Sequence, residues 1–144
     1  MAEAQQRIFS TEIVWDNGES GTAVTEAGAS LTVGPGSEWA AEHLLTLAAA
    51  TCLMTTFLHL AAEEGLQVLG YVSSGRLEVP PDPEEVPRVV LAPCIVIARN
   101  DDTHAARRLC HQGRRQSPVC RTLGRRLHLA PTFTVISSEA DEAH

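Results

Sequence analysis

The 144-residue chain is 44% hydrophobic and 20% charged, proportions that favour one globular domain over a disordered protein. Its formal net charge of −7 at pH 7 disfavours general nucleic-acid binding, because DNA and RNA are polyanions. The polar start MAEAQQRIFS lacks the apolar core of a secretory signal. We therefore expect a cytoplasmic protein with frayed ends at residues 1–6 and 138–144.

The first part of the chain predicts a meander of three short strands. Residues 7–16 are rich in β-branched and aromatic side chains, and the Asn-Gly pair that follows is a hairpin signal. Runs at 21–26 and 30–33 supply the partner strands, and a Gly-Pro-Gly sequence then ends the meander.

A long apolar helix follows the meander. Ser37 is the expected N-cap, no proline or glycine interrupts residues 39–64, and Gly65 is the expected C-cap. The helix is long enough to span a membrane, but it carries Glu42 and two histidines, which are costly in lipid. Because its apolar residues surround the helix, we expect burial on nearly all sides, and an intertwined homodimer would provide it.

The rest of the chain alternates strands with shorter helices. We expect strands at 66–79, 88–99 and 131–137, and helices at 101–115 and 117–126. Pro93 suggests a bulge or an edge position in its strand, because proline donates no ladder hydrogen bond. The predicted fold is α+β, a single domain over residues 1–144 with helices on one face of an antiparallel sheet.

Positive charge is concentrated in the second half of the chain. All eleven basic residues are arginine, and seven of them share a segment without acidic residues: Arg107, Arg108, Arg114, Arg115, Arg121, Arg125 and Arg126. Such a cluster is typical of a solvated helix face. Its alternative role is a positive field that attracts anions or favours a thiolate. A helix that contacts nucleic acid is a third interpretation, which the acidic total disfavours.

Four cysteines, Cys52, Cys94, Cys110 and Cys120, are expected to be reduced thiols in a chain without an export signal. The candidate zinc ligands Cys110, His111 and Cys120 lack a compact pair-plus-pair spacing, so no metal and no other cofactor is expected. Cys52 lies midway along the apolar helix. A cysteine there is either a small hydrophobe or, if it is held as a thiolate, a nucleophile.

Two ionisable residues of the helix could act together with Cys52. Glu42, ten residues earlier, is about 80° away around the helix axis and three turns away along it, so the two side chains cannot touch. They could border one pocket if an arginine or a ligand bridged them. His59, seven residues after Cys52, is about 10 Å away along the axis, too far to activate the thiol directly.

Residues 42–71 show a family resemblance. The run EHLLTLAAATCLMTTFLHLAAEEGLQVLGY resembles the central helix of the OsmC/Ohr family, the osmotically inducible and organic-hydroperoxide-resistance proteins. In that family a Glu that opens the helix precedes a reactive cysteine by ten residues. The APCIVI strand and the SPVCRTL segment also resemble the second half of the family, so the resemblance covers about residues 8–136.

The resemblance implies an intertwined homodimer in which the long helices are buried against sheets from both subunits. It also implies a thiol-dependent peroxidase, in which Cys52 attacks an organic hydroperoxide and becomes a sulfenic acid. Cys120 would resolve it as a disulfide, a dithiol would reduce the disulfide, and Glu42 would orient an activating arginine. The alternative is a non-catalytic member that binds an apolar or acyl ligand in the dimer groove.

Two positions depart from the pattern of the peroxidatic members. Their activating arginine lies in the first hairpin turn, in a pattern like WTGGRDG, whereas the matching WDNGESG has Glu19 at that position. Their resolving cysteine begins a CPVS-like segment, whereas the order here places Ser117 first and Cys120 last. The cysteine is thereby displaced by nearly one helical turn.

Overall fold

The structure is a computed structural model that describes residues 5–36 and 38–136. The predicted N-cap Ser37 and the predicted frayed residues 1–4 and 138–144 lie outside the described residues. The chain divides into two compact units, with the boundary between Leu44 and Leu45.

The first unit contains an antiparallel sheet of three strands, as the meander predicts. The strands are β1 (Thr11–Asn17), β2 (Ser20–Thr25) and β3 (Ser30–Val33), in that order. Gly18 and Glu19 form the two-residue turn between β1 and β2. The sequence pattern placed the start of β1 four residues too early.

Helix α1 (Ala41–Glu64) crosses the boundary between the units. It begins two residues later than predicted, because Trp39 still pairs with the end of β3: the Gly34 N–H donates to the Trp39 carbonyl oxygen at 3.0 Å. Gly65 ends the helix as expected, with a φ of +72°. The N–H of Leu66 then bonds back to the Ala61 carbonyl oxygen at 2.9 Å, as in a Schellman motif.

The second unit contains a mixed sheet, not the antiparallel sheet predicted from the sequence. β4 (Val68–Glu78) pairs antiparallel with one edge of β5 (Arg88–Ile97), and β6 (Leu127–Leu129) and β7 (Thr132–Val135) pair parallel with the other edge. The prediction for Pro93 is wrong, because β5 is a central strand. Pairing with β6 ends at Leu91 and pairing with β7 begins at Cys94, so the proline falls in the gap between them.

Two shorter helices follow β5. They are α2 (Thr103–Gln116) and α3 (Pro118–Leu123), and their positions confirm the two helices predicted there. α2 crosses α1 at Gly113, where an added Cβ would lie 3.5 Å from the backbone nitrogen of Phe57 and 3.6 Å from Cδ1 of Leu53. These are ordinary van der Waals distances, so the crossing has room for a methyl group at Gly113.

One face of α1 belongs to the core of the second unit. Its buried residues pack with the central strand and with α2: Ala49, Leu53, Phe57, Leu60 and Ala61. Other apolar residues of the helix remain exposed, among them Leu47 at 46% and Leu58 at 37%. Among the described residues, α1 is the one helix whose length and composition would also suit a membrane span. The burial on nearly all sides expected for α1 is not reached within one chain.

Candidate functional site

Cys120 joins α3 to the middle of α1. Its Sγ lies 3.8 Å from the carbonyl oxygen of Ala49, and the residue is only 2% exposed. The preceding residues fix this position: Ser117 is fully buried, and its Oγ accepts a hydrogen bond from the Cys120 N–H at 3.4 Å. Pro118 occupies the first helical position, where its missing N–H costs nothing. The local sequence therefore starts α3 so that the Cys120 thiol faces α1.

Cys52 lies on the same part of α1, three residues after Ala49. Cys52 is half-buried, so it is more accessible to solvent than the buried core residues of the helix. The Ala49 carbonyl oxygen that Cys120 contacts lies nearly one helical turn before Cys52. The structure thus places Cys120 against the part of α1 that carries Cys52.

The surroundings of Cys120 favour its neutral thiol. Burial raises the pKa of Cys120, and the charge of a Cys52 thiolate would raise it further. The hydrogen bond of Ser117 and the positive charge of Arg114 lower the pKa of Cys120, but they do not outweigh burial. Cys120 therefore rests as a protonated thiol.

The carboxylates of Glu42 and Glu19 form no ion pair with an arginine among the described residues. Glu42 is exposed in the first turn of α1, about 15 Å along the helix from Cys52. Within residues 5–36 and 38–136 its carboxylate forms no ion pair. Glu19 is exposed in the turn between β1 and β2. His59 pairs with Glu63 at 3.1 Å on an exposed surface, with its side chain 72% accessible.

The two remaining cysteines differ in burial. Cys110 is fully buried on α2, and burial raises its pKa to about 11, with a smaller opposing effect from the positive charge of Arg107. Cys94 is half-buried on β5, with Sγ 3.8 Å from Oγ1 of Thr134. In the part of the chain that the structure describes, no group of three or more His, Cys, Asp and Glu side chains could hold a metal ion.

Tyr71 is a neighbour of the thiols that sequence reasoning missed. Its ring packs on Phe57 at 5.8 Å between centroids, and its buried hydroxyl has no hydrogen-bond partner among the described residues. Burial raises the pKa of Tyr71, and charges on Cys110 and Cys120 would raise it further. The available signal was that Tyr71 is the single tyrosine of the chain, in a strand predicted to follow the apolar helix.

Three members of the arginine cluster have defined structural contacts. Arg107 lies over the Phe133 ring at 4.9 Å, and Arg108 pairs with Glu64 at 2.6 Å. Arg114 donates to the Leu127 carbonyl oxygen at 2.6 Å. These contacts tie α2 to its neighbours. Arg114 also lines a pocket together with Arg115, Arg121 and Arg125.

The fold defines an α+β protein with one cysteine, Cys52, on its long helix and a second, Cys120, on a short helix that contacts it. A sequence model of the OsmC-like protein family matches residues 34–131. The chain therefore belongs to the OsmC-like family, which confirms the resemblance seen in the sequence. Comparison with curated protein sequences gave no match.

Solved structures of the same family share this fold. An OsmC-like protein from Mycoplasma pneumoniae has a TM-score of 0.78 at 14% identity, over 92% of this chain and 99% of the other. An organic hydroperoxide resistance protein OsmC from Legionella pneumophila has a TM-score of 0.69 at 15% identity, over 92% and 100%. The organic hydroperoxide resistance protein OhrB of Bacillus subtilis gives 0.66 at 14%, over 89% and 98%. The α+β fold is thereby confirmed.

Proposed function

We propose that this protein reduces organic hydroperoxides with a pair of thiols, Cys52 and Cys120. The observation that carries the proposal is the position of Cys120, whose Sγ contacts the Ala49 carbonyl oxygen one turn before Cys52. Two proteins of similar fold are named for organic hydroperoxide resistance. The activity would serve defence against oxidative stress.

The proposed chemistry needs both thiols in turn. The Cys52 thiolate attacks one peroxide oxygen, the O–O bond breaks, and the alcohol leaves after protonation while Cys52 becomes a sulfenic acid. The Cys120 sulfur then attacks the Cys52 sulfur, which forms a disulfide and releases water. A dithiol restores both cysteines by two exchange steps and is itself oxidised to a disulfide.

The unequal burial of the two cysteines suits these roles. Cys52 is half-buried and therefore within reach of a small substrate, whereas Cys120 is almost fully enclosed. Because burial raises the pKa of Cys120, its thiol stays protonated and is a poor target for peroxide. Peroxide is thus directed to Cys52, and Cys120 is kept for the second step.

A homodimer is part of the proposal. Leu47 and Leu58 are exposed at 46% and 37%, and their spacing of eleven residues places them about 20° apart on α1. A second copy of the chain would cover this stripe, as the all-round apolar pattern of the helix requires. In peroxidatic relatives the first hairpin turn holds the activating arginine, whereas this chain has Glu19 there. An arginine from the partner subunit would instead meet the exposed carboxylate of Glu42. We place the dimer in the cytoplasm, where four free thiols persist.

The test is a peroxidase assay with purified, reduced protein. Wild type should consume cumene hydroperoxide in the presence of dithiothreitol, and Cys52→Ser should abolish the reaction. Cys94→Ser is the matched control, since it removes another half-buried thiol outside the pair, and it should retain activity. Equal inertness of wild type and Cys52→Ser would reject the proposed function.

A second candidate function is supported by an apolar pocket in the first unit. Its volume is about 350 Å³, and its lining is mostly small or aliphatic: Thr11, Ala23, Val24, Thr25, Ala29, Ser30, Leu31 and Leu44. A pocket of this kind suits an apolar or acyl chain. Titration with a fluorescent fatty acid would test it. Saturable binding that Leu31→Asp abolishes, in a protein without peroxidase activity, would favour this candidate.

A further inference from the structure

A pocket of about 420 Å³ lies beside Cys120, and arginine forms most of its wall. The wall contains one sulfur and no carboxylate; its lining residues are Arg114, Arg115, Cys120, Arg121, Gly124 and Arg125. Four arginine residues line this one cavity, and guanidinium groups are planar, multiple donors that pair with carboxylates and other oxyanions.

The positive charge of this arginine pocket is not neutralised by the described chain. Within residues 5–36 and 38–136, the arginines that form ion pairs are four others: Arg76, Arg88, Arg99 and Arg108. The sequence contains no acidic residue between Asp102 and Glu139. An anion that enters the pocket would therefore meet a positive potential without a competing carboxylate.

One of the four guanidinium groups is already held in position. Arg114 donates to the carbonyl oxygens of Leu127 at 2.6 Å and Gly124 at 3.4 Å, and its charge lowers the pKa of Cys120. Arg114 and Cys120 also line the same cavity. An anion bound in the pocket would therefore lie next to Cys120.

We propose that the arginine pocket docks an anionic dithiol and presents it to Cys120. The inference rests on the proposed function and names the chemical class of its reductant, a small dithiol that carries an acidic group. The pocket is lined by Cys120 and not by Cys52. A reductant in the pocket would therefore meet Cys120 before Cys52.

The reduction begins with the protein in its disulfide form. A thiolate of the docked reductant attacks Sγ of Cys120, the bond to Cys52 breaks, and Cys52 leaves as a thiolate. The second thiol of the reductant then attacks the reductant sulfur of the mixed disulfide. Cys120 is released and takes a proton, and the reductant departs as a disulfide after giving up two electrons.

Two dithiols that differ in one group test the proposal. Dimercaptopropanesulfonate and dimercaptopropanol share a carbon skeleton, but only the first carries a permanent negative charge. We expect the sulfonate to reduce the disulfide form about tenfold faster at low ionic strength, and added salt to shrink this preference. The double variant Arg121→Gln/Arg125→Gln should lose the preference, while Arg126→Gln, an exposed arginine outside the pocket, should keep it. Equal rates with both dithiols would overturn the proposal, as would an unchanged preference in the double variant.

A second measurement separates this proposal from the proposed function. In Cys52→Ser the peroxidase chemistry is blocked but the pocket and Cys120 remain. The rate at which each disulfide reagent reacts with Cys120 is divided by its rate with free mercaptoethanol, which corrects for intrinsic reactivity. This ratio should be larger for the anionic dithiobis(nitrobenzoate) than for neutral dithiodipyridine. If wild type is inert toward hydroperoxide yet shows this pocket-dependent preference, the proposed function fails and anion docking stands. An active peroxidase without either preference would reject the docking alone.

Discussion

The Sγ of Cys120 and the carbonyl oxygen of Ala49 lie 3.8 Å apart, and this contact locates α3 on α1. Ala49 precedes Cys52 by three residues, which is nearly one helical turn. A disulfide requires the two Cα atoms to lie within about 7 Å. The proposed resolving step therefore demands that the Cys120 sulfur leave the Ala49 carbonyl oxygen and bond to Cys52.

The first prediction concerns which disulfide forms. One equivalent of organic hydroperoxide should link Cys52 to Cys120, and mass spectrometry of the digested protein should find that peptide pair. Cys110 is the competing partner, because it is buried in the same core cluster as Cys120. A linkage between Cys110 and Cys120, or an overoxidised Cys52 with a free Cys120, would contradict the prediction.

The second prediction concerns the cap of α3. Ser117→Ala removes the buried Oγ that accepts the Cys120 N–H, and it should lower the free energy of unfolding by about 1 kcal/mol. The same change removes a hydrogen bond that lowers the pKa of Cys120. The pKa of Cys120 should therefore rise, and the alkylation rate of Cys120 should reach half its maximum at a higher pH than in wild type.

A matched control for this variant lies on the same helix. Thr122→Ala removes an exposed hydroxyl that donates to the Pro118 carbonyl oxygen at 2.9 Å, without touching the cap. It should leave the pH profile of Cys120 alkylation unchanged. A profile that shifts equally in both variants would show that Ser117 has no specific effect on the thiol.

Local signals allowed most of the fold to be predicted. The Asn-Gly turn, Gly65 after the apolar helix and the Ser-Pro pair before α3 each act within a few residues, and each was placed correctly. β6 was missed because it has only three residues, Leu127–Leu129, and its parallel partner lies far away in the sequence. Pro93 was misjudged for the same reason, because the gap between its two parallel partners depends on non-local pairing.

The candidate site could be predicted only in part. The pairing of Cys52 with Cys120 came from a family resemblance, because a separation of this length in the sequence does not determine proximity in space. The buried hydroxyl of Tyr71 near the thiols depends on tertiary packing, which no local pattern reports. Arg114 was recognised as part of a charged cluster, but its contact with the Leu127 carbonyl oxygen requires the folded chain.

The third prediction concerns the crossing of α1 and α2. A Cβ at Gly113 would meet Phe57 and Leu53 at ordinary contact distances of 3.5 and 3.6 Å, so Gly113→Ala should fit. It should also raise stability by up to about 1 kcal/mol, because glycine is unfavourable inside a helix. Gly113→Leu should instead destabilise the protein by about 1–3 kcal/mol through overpacking. Urea unfolding of the two variants beside wild type checks both signs, and a tolerated leucine would contradict the close crossing.

The fourth prediction concerns the proposed homodimer. Leu47 is 46% exposed on α1 within one chain, so Leu47→Glu should not disturb the fold of the single chain. In the dimer, however, it would place a charge in an interface that excludes water. Sedimentation should therefore show a dimer for wild type and a monomer for Leu47→Glu. Gln67→Glu, which adds the same charge at an exposed position just after α1, should remain dimeric. A wild-type chain that sediments as a stable folded monomer would reject the homodimer, and a dimeric Leu47→Glu would place the interface elsewhere.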